Sequence, residues 1–245
     1  SLGGSKENFC QEAREKSGSN TSDEDVCWAW NELLTGIPTE KLRFIRHLHD
    51  DLGYKTAILS NTNWIHWEKS EQYFQVEGLT VNDYFDYIFL SCDLGMIKPD
   101  KEVYQRVIDE TGIPAKDILF IDDSITNCMG AHALGIRTIH DPSGNAWMQP
   151  KAAVIGNFDG IHLGHQYIID CLKQLASDYP TPLSTVAITF DRHPRVLFDS
   201  SFIPKYITPL KEKERQLLKY GLDSVAIMPF NKDFAEISAY DFMKF

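Results

Sequence analysis

The sequence predicts an α/β protein built as two Rossmann-like, three-layer domains with parallel sheets, residues 1–147 and 148–245. Three observations carry this reading. Short apolar runs alternate with amphipathic helical segments along most of the chain, as strand–helix crossovers require. A turn-rich stretch, DPSGNAWMQPK at 141–151, interrupts the alternation. A second alternation starts just after Met148.

In order, residues 7–34 are polar with apolar spots at helical spacing (Phe9, Ala13, Val26, Trp28, Trp30, Leu33, Leu34), and SNTSDEDV supplies cap residues, so two helices are expected. TEKLRFIRHLHDDLG at 39–53 is amphipathic, with Leu42, Ile45, Leu48 and Leu52 facing inward and Gly53 as the stop. KTAILSN and DYIFLSC read as buried strands, KEVYQRVIDETG as a helix, DILFIDD as a third strand, SITNCMGAHALG as a helix and RTIH as a short fourth strand. After the junction come the strand AAVIGNF, the helix GHQYIIDCLKQLASD, the strand STVAITF, the helix KEKERQLLKYG and the strand SVAIMPF. SAYDFMKF opens a further helix.

The chain has 245 residues and a net charge of −11, which argues against nucleic acid bound through a broad basic surface. Nucleotides and phosphate esters stay open, since they need only a local cluster of donors. Five scattered cysteines without C-x-x-C spacing point to reduced thiols and a cytoplasmic setting. No apolar run reaches membrane-spanning length, and SLGGSK carries no functional weight. Oligomeric state is not readable from these features.

Chemistry-bearing residues stand at strand ends, where open α/β sheets bind ligands. In the first half these are Ser60 and Asn61, Lys98, and the pair Asp122–Asp123. A hydroxyl and an ammonium suit phosphate, and paired carboxylates suit Mg²⁺. The plainer alternative makes Ser60 a turn cap, Lys98 a surface lysine and the Asp pair a cap for the helix at 124–135. In the second half GNFDGIHLGH places Gly156 and Gly160 where backbone can approach a ligand. His162 and His165 share one face at a helix start and can hold phosphate oxygens. His47, His49, His66, His132 and His140 lack ligand spacing and read as structural or exposed. Trp28, Trp30, Trp64 and Trp67 read as cap or core aromatics, with NWIHW as a possible border to a substrate entrance.

LSNTN, KPDKEVY and LFIDDS, in this order, resemble the second, third and fourth motifs of the haloacid dehalogenase-like hydrolases over about residues 8–147. The resemblance is to the branch with a small helical cap, and residues 7–34 resemble the end of that cap. It implies phosphate binding by Ser60 and Asn61, charge compensation and a catalytic role for Lys98, and Mg²⁺ at Asp122 and Asp123. The family's nucleophile, the first Asp of a D-x-D motif before the cap, is not in residues 1–8. Its strand is expected mid-sheet, so its loss leaves neighbouring backbone groups without partners.

GNFDGIHLGHQ, TFDRHPRVLF and the stretch at 207–243 resemble the nucleotidyltransferase module of bifunctional riboflavin kinase/FAD synthetases. That resemblance implies an ATP site at Gly156, Asn157, Asp159, His162 and His165, the two histidines being catalytic. Asp191, His193, Pro194, Arg195 and Thr208 then lie towards flavin and phosphates. AMP would pass from ATP to FMN, giving FAD and pyrophosphate. A later strand and an arginine-bearing motif of that family are not among the 245 residues. VIGNFDG is also similar to a hydrolase first motif, but Asn157 stands where the nucleophile belongs and an amide cannot form the acyl-phosphate. The reading is therefore a composite of two apparently incomplete domains, a Mg²⁺-dependent phosphohydrolase-like one and an FMN adenylyltransferase-like one. A small-ester phosphatase alone, or a non-catalytic phosphate- or nucleotide-binding protein, are the alternatives.

Overall fold

Helix α1 (Lys6–Ser17) starts where the Ser5 side chain accepts the Asn8 N–H at 3.3 Å, and stops at Gly18 with φ 65°. Ser22 caps α2 (Asp23–Asn31) in the same way, accepting the Asp25 N–H at 3.1 Å. This is a computed structural model, and it describes residues 5–181, 183–238 and 242. The expected helix at 238–245 lies largely outside the described residues. The chain divides into two compact units, Ser1–Thr111 and Gly112–Phe245.

In the first unit, α1 and α2 bring Cys10 and Cys27 together as buried free thiols, Sγ to Sγ 3.6 Å, against Ile65. Helix α3 (Thr39–Arg46) continues into a π-helical turn at His47–Asp51 before Gly53. Leu42 is buried, but Leu52 is 54% exposed, contrary to expectation. The wider π turn changes the angular register, so the 3.6-residue spacing no longer holds Leu52 on the inner face.

Strands β1 (Ala57–Ser60) and β2 (Tyr87–Leu90) pair in parallel from Ala57↔Tyr87 to Ser60↔Leu90, forming a two-stranded sheet. Between them lie α4 (Trp64–Tyr73) and α5 (Val81–Tyr84), and after them α6 (Ser91–Leu94) and α7 (Lys101–Thr111). The core gathers Leu42, Phe74, Val81 and Tyr84, with Trp67 packed against it. Trp30 stacks on His66 with ring centroids 5.2 Å apart. Trp28 and Trp64 are instead exposed, so neither is a core aromatic.

The second unit contains β3 (Leu119–Asp122), α8 (Ile125–His132), β4 (Arg137–His140), β5 (Lys151–Ile155), α9 (Leu163–Asp178), β6 (Ser184–Phe190), α10 (Arg195–Phe198), α11 (Leu210–Lys219), β7 (Ser224–Met228) and α12 (Lys232–Ala235). Its sheet runs β3-β4-β7-β6-β5. The pairs β3–β4, β5–β6 and β6–β7 are parallel, whereas β4–β7 is antiparallel, with Ile139 opposite Ala226. Strands from both sides of the junction share one sheet, because β4 finds in β7 a partner for its backbone donors and acceptors. Phe158, Ile161, Ile169, Leu217, Val225 and Ile227 centre the core beneath it.

Candidate functional site

The second unit places GNFDGIHLGH at the carboxyl end of β5, on a tightly built turn. Phe158 and Ile161 adopt positive φ (46° and 37°), a conformation that costs non-glycine residues energy and persists only when surroundings enforce it. Both side chains are buried in the core, which supplies that enforcement. The Phe158 ring lies so close to Gly156 that a Cβ there would sit 3.2 Å from it. Gly160 has φ 74°, and an added Cβ would meet Ile207 at 3.1 Å.

The Asp159 carboxylate is hydrogen-bonded within the fold. Its Oδ1 accepts the N–H groups of Ile207 and Thr208, each at 2.9 Å, and the Thr208 hydroxyl at 3.0 Å; Thr208 Oγ1 accepts the Gly160 N–H at 3.0 Å. Burial pushes the Asp159 carboxyl up, but the backbone N–H groups of Thr208 and Ile207 overcome this and hold it below its ordinary value. Asp159 and Thr208 thus clasp the turn to the loop before α11.

His162 caps α9: its Nδ1 accepts the His165 N–H at 3.4 Å. The two imidazoles stack with centroids 3.7 Å apart and planes 16° from parallel. Burial, then the neighbouring His162, lower the His165 pKa, so His165 is neutral at pH 7. Its Nδ1 is buried without a hydrogen-bond partner among the described residues. The N-terminus of a 16-residue helix, with its free N–H groups and partial positive charge, lies at these rings.

At the end of β6, Asp191 Oδ1 accepts the Phe230 N–H at 2.9 Å, while His132 Nε2 and Arg192 approach Oδ2 at 3.5 and 3.2 Å. Burial raises the Asp191 carboxyl; His132, the Phe230 N–H and Arg192 outweigh it and bring it to about 2. His193 takes the Tyr206 hydroxyl as acceptor for its N–H (2.8 Å), and its Nδ1 accepts the Arg195 N–H at 3.1 Å beside Pro194. Arg195 pairs with Asp199 and lies 4.6 Å over the Phe202 ring. The loop 191–206 therefore closes on itself.

In the first unit, the Asn61 amide grips the Lys98 backbone twice. Its Nδ2 donates to Lys98 O and its Oδ1 accepts Lys98 N–H, both at 2.8 Å. Lys98 Nζ donates to Leu59 O at 2.8 Å, directly before Ser60. Buried Ser91 ties the same strand end, donating to Thr62 O and accepting its N–H. Asp122 and Asp123 lie in the second unit. Asp122 Oδ1 accepts the Ser124 N–H (2.8 Å) and Asn127 Nδ2 (2.9 Å), which ties it to the start of α8 without capping a helix N–H; Asp123 is exposed and its carbonyl accepts from His140.

Ser91, Thr189, Lys213 and Glu214 escape sequence reasoning. Lys213 and Glu214 sit on the α11 face that Leu210 and Leu217 mark as inward, and that spacing was the available signal. Two cavities of about 320 and 370 Å³ are lined by none of the predicted site residues.

Residues 12–135 match the family model of the haloacid dehalogenase-like hydrolases. The chain belongs to this family. Residues 145–245 match a second family model, FAD synthetase, so the hydrolase-family chain carries both domains. The wild-type hydrolase of this family from Bacteroides thetaiotaomicron, crystallised with magnesium and inorganic phosphate, is 37% identical. It aligns over 57% of this chain and 71% of its own, with a TM-score of 0.55. A D-ribitol-5-phosphate phosphatase of the same organism is 28% identical over 155 residues, 62% of this chain and 74% of its length. The bifunctional riboflavin kinase/FMN adenylyltransferase of Buchnera aphidicola is 37% identical over 109 residues, 44% of this chain. The chain spans about a third of that relative's length. No helix among the described residues is long and apolar enough to cross a membrane.

Proposed function

We propose that the turn Gly156–His165 binds the phosphates of ATP and that residues 145–245 serve AMP transfer to FMN. One observation carries the reading: two stacked imidazoles, one with a buried nitrogen that has no partner among the described residues, at the N-terminus of a long helix. Such a site meets an anion with helix N–H groups and with rings that can take up a proton. His162 and His165 stabilise charge as it builds on the α-phosphate, and an FMN phosphate oxygen attacks directly. The forming bond is phosphate oxygen to α-phosphorus, the breaking bond joins the α-phosphorus to the bridging oxygen, and pyrophosphate leaves. Gly156 and Asn157 bring backbone close to the ligand. Asp159 and Thr208 hold the turn's shape, and Asp191, His193, Pro194 and Arg195 form the loop facing FMN.

The test is FAD formation from ATP and FMN by the whole chain, beside calorimetry of ATP binding. His165→Ala should abolish product and weaken ATP. Undiminished product from that variant would overturn the reading, and binding without turnover would favour a non-catalytic nucleotide-binding protein.

A second reading concerns the hydrolase-family part. The Asn61–Lys98 clasp beside Ser60 makes a phosphate-holding strand end, for a small phosphate ester. Asp122 and Asp123, in the second unit, are a carboxylate pair of the kind Mg²⁺ takes beside waters. Phosphate release that survives Asp122→Ala would remove that assignment.

A further inference from the structure

Lys213 is 5% exposed, and among the described residues its ammonium has only neutral acceptors, Thr189 Oγ1 at 3.1 Å and Phe190 O at 3.2 Å. Three donor hydrogens thus meet two oxygens, and no carboxylate of the described residues lies within salt-bridge distance of it. A buried charge without a carboxylate in direct contact is an expensive arrangement.

The acids around it act on it from a distance and make their hydrogen bonds with other groups. Asp159, from the turn after β5, is held by Ile207 and Thr208. Asp191, from the turn after β6, is held by Phe230, Arg192 and His132. Glu214, beside Lys213 on α11, is paired with His140. The ammonium instead ties two strand ends together. Thr189 Oγ1, which it contacts, donates in turn to Asn157 O at 3.3 Å, and Phe190 O directly precedes Asp191.

We propose that Lys213 is a positioning residue of the nucleotide site: a buried cation that holds the Asn157 and Asp191 turns in place and whose counter-charge is the bound polyphosphate. The proposal rests on the reading of Gly156–His165 as an ATP site. Burial lowers the Lys213 pKa while Asp159 and Asp191 oppose that shift, so its charge fades on the alkaline side earlier than an ordinary lysine's.

The experiment is calorimetry of Mg-ATP and of inorganic tripolyphosphate binding to the whole chain from neutral to alkaline pH. Wild type is compared with Lys213→Gln and Lys213→Arg, with thermal unfolding followed alongside. Lys213→Gln is expected to weaken tripolyphosphate binding roughly tenfold, as loss of one poorly screened charge implies. Wild-type affinity should decline as pH rises, and Lys213→Arg, which stays charged, should bind well without that decline. Undiminished binding by Lys213→Gln, or an alkaline decline in Lys213→Arg parallel to wild type, would overturn the proposal while leaving the ATP site standing. If Lys213→Gln does not fold, the comparison of wild type with Lys213→Arg still decides. Wild type that binds neither ligand would overturn the site and this role together.

Discussion

His140 Nδ1 and Glu214 Oε1 form a buried hydrogen-bonded pair that joins strand β4, just beyond the hydrolase-family match, to helix α11 of the FAD synthetase domain. The second ring nitrogen of His140 reaches Asp123 O at 3.0 Å, so both its polar atoms are satisfied. Together with the antiparallel β4–β7 ladder, this pair makes segments of two families into one folded unit.

Removing one member should therefore cost more than a surface pair would. Glu214→Ala is expected to lower stability by about 3–5 kcal/mol, since it strands a buried histidine. Burial lowers the His140 pKa, but Glu214 prevails and raises it. The pair's contribution is then full below the unfolded histidine value near 6.5 and fades as pH rises through the folded one. Urea unfolding of wild type and Glu214→Gln between pH 6 and 9 checks this; identical pH slopes would show that the pair does not titrate.

Asp191 should govern the acid limb. Its carboxyl at about 2, against an unfolded value near 3.8, contributes about 2 kcal/mol that is present above pH 4 and lost as pH falls towards 2. Asp191→Asn should be less stable than wild type at pH 6, with the difference shrinking by pH 2.5 in acid denaturation curves.

ATP binding should strengthen as pH falls through the neutral range. Burial keeps His165 neutral in the free protein, and a bound phosphate favours its protonated form, so ligand and proton bind cooperatively. Comparison of wild type with His165→Gln over pH 5.5–8 isolates this from the titration of ATP itself. A variant with the same pH dependence as wild type would rule out His165 as the proton site.

Gly160→Ala should destabilise the turn for two separable reasons: the left-handed backbone costs about 1–2 kcal/mol, and the new methyl meets Ile207. Thermal melts of Gly160→Ala with and without Ile207→Ala should show partial recovery in the double variant.

Much of this was readable in the residues. The strand–helix alternation, both family resemblances and the strand-end position of His162, His165, Asn61 and Lys98 all follow from local patterns. Asp122 binds the Ser124 N–H and the Asn127 amide, a local arrangement that the LFIDDS stretch by itself does not show. The outward position of Leu52 was not legible, because a π-helical turn breaks the 3.6-residue period without any Pro or Gly to announce it. Asp159 looked like a ligand-facing acid, yet its partners Ile207 and Thr208 lie 48 and 49 residues away.

What the sequence alone determined is the order of elements and the kind of chemistry carried at their ends, since periodicity, capping and short motifs act over a few residues. The tertiary structure alone decided which strands share a sheet and which charges are buried together. The joining of β4 to β7, the pairing of His140 with Glu214 and the burial of Lys213 against Thr189 each depend on segments tens of residues apart. Their cause is the demand of buried backbone and charged groups for partners, and only the folded chain shows where those partners are found.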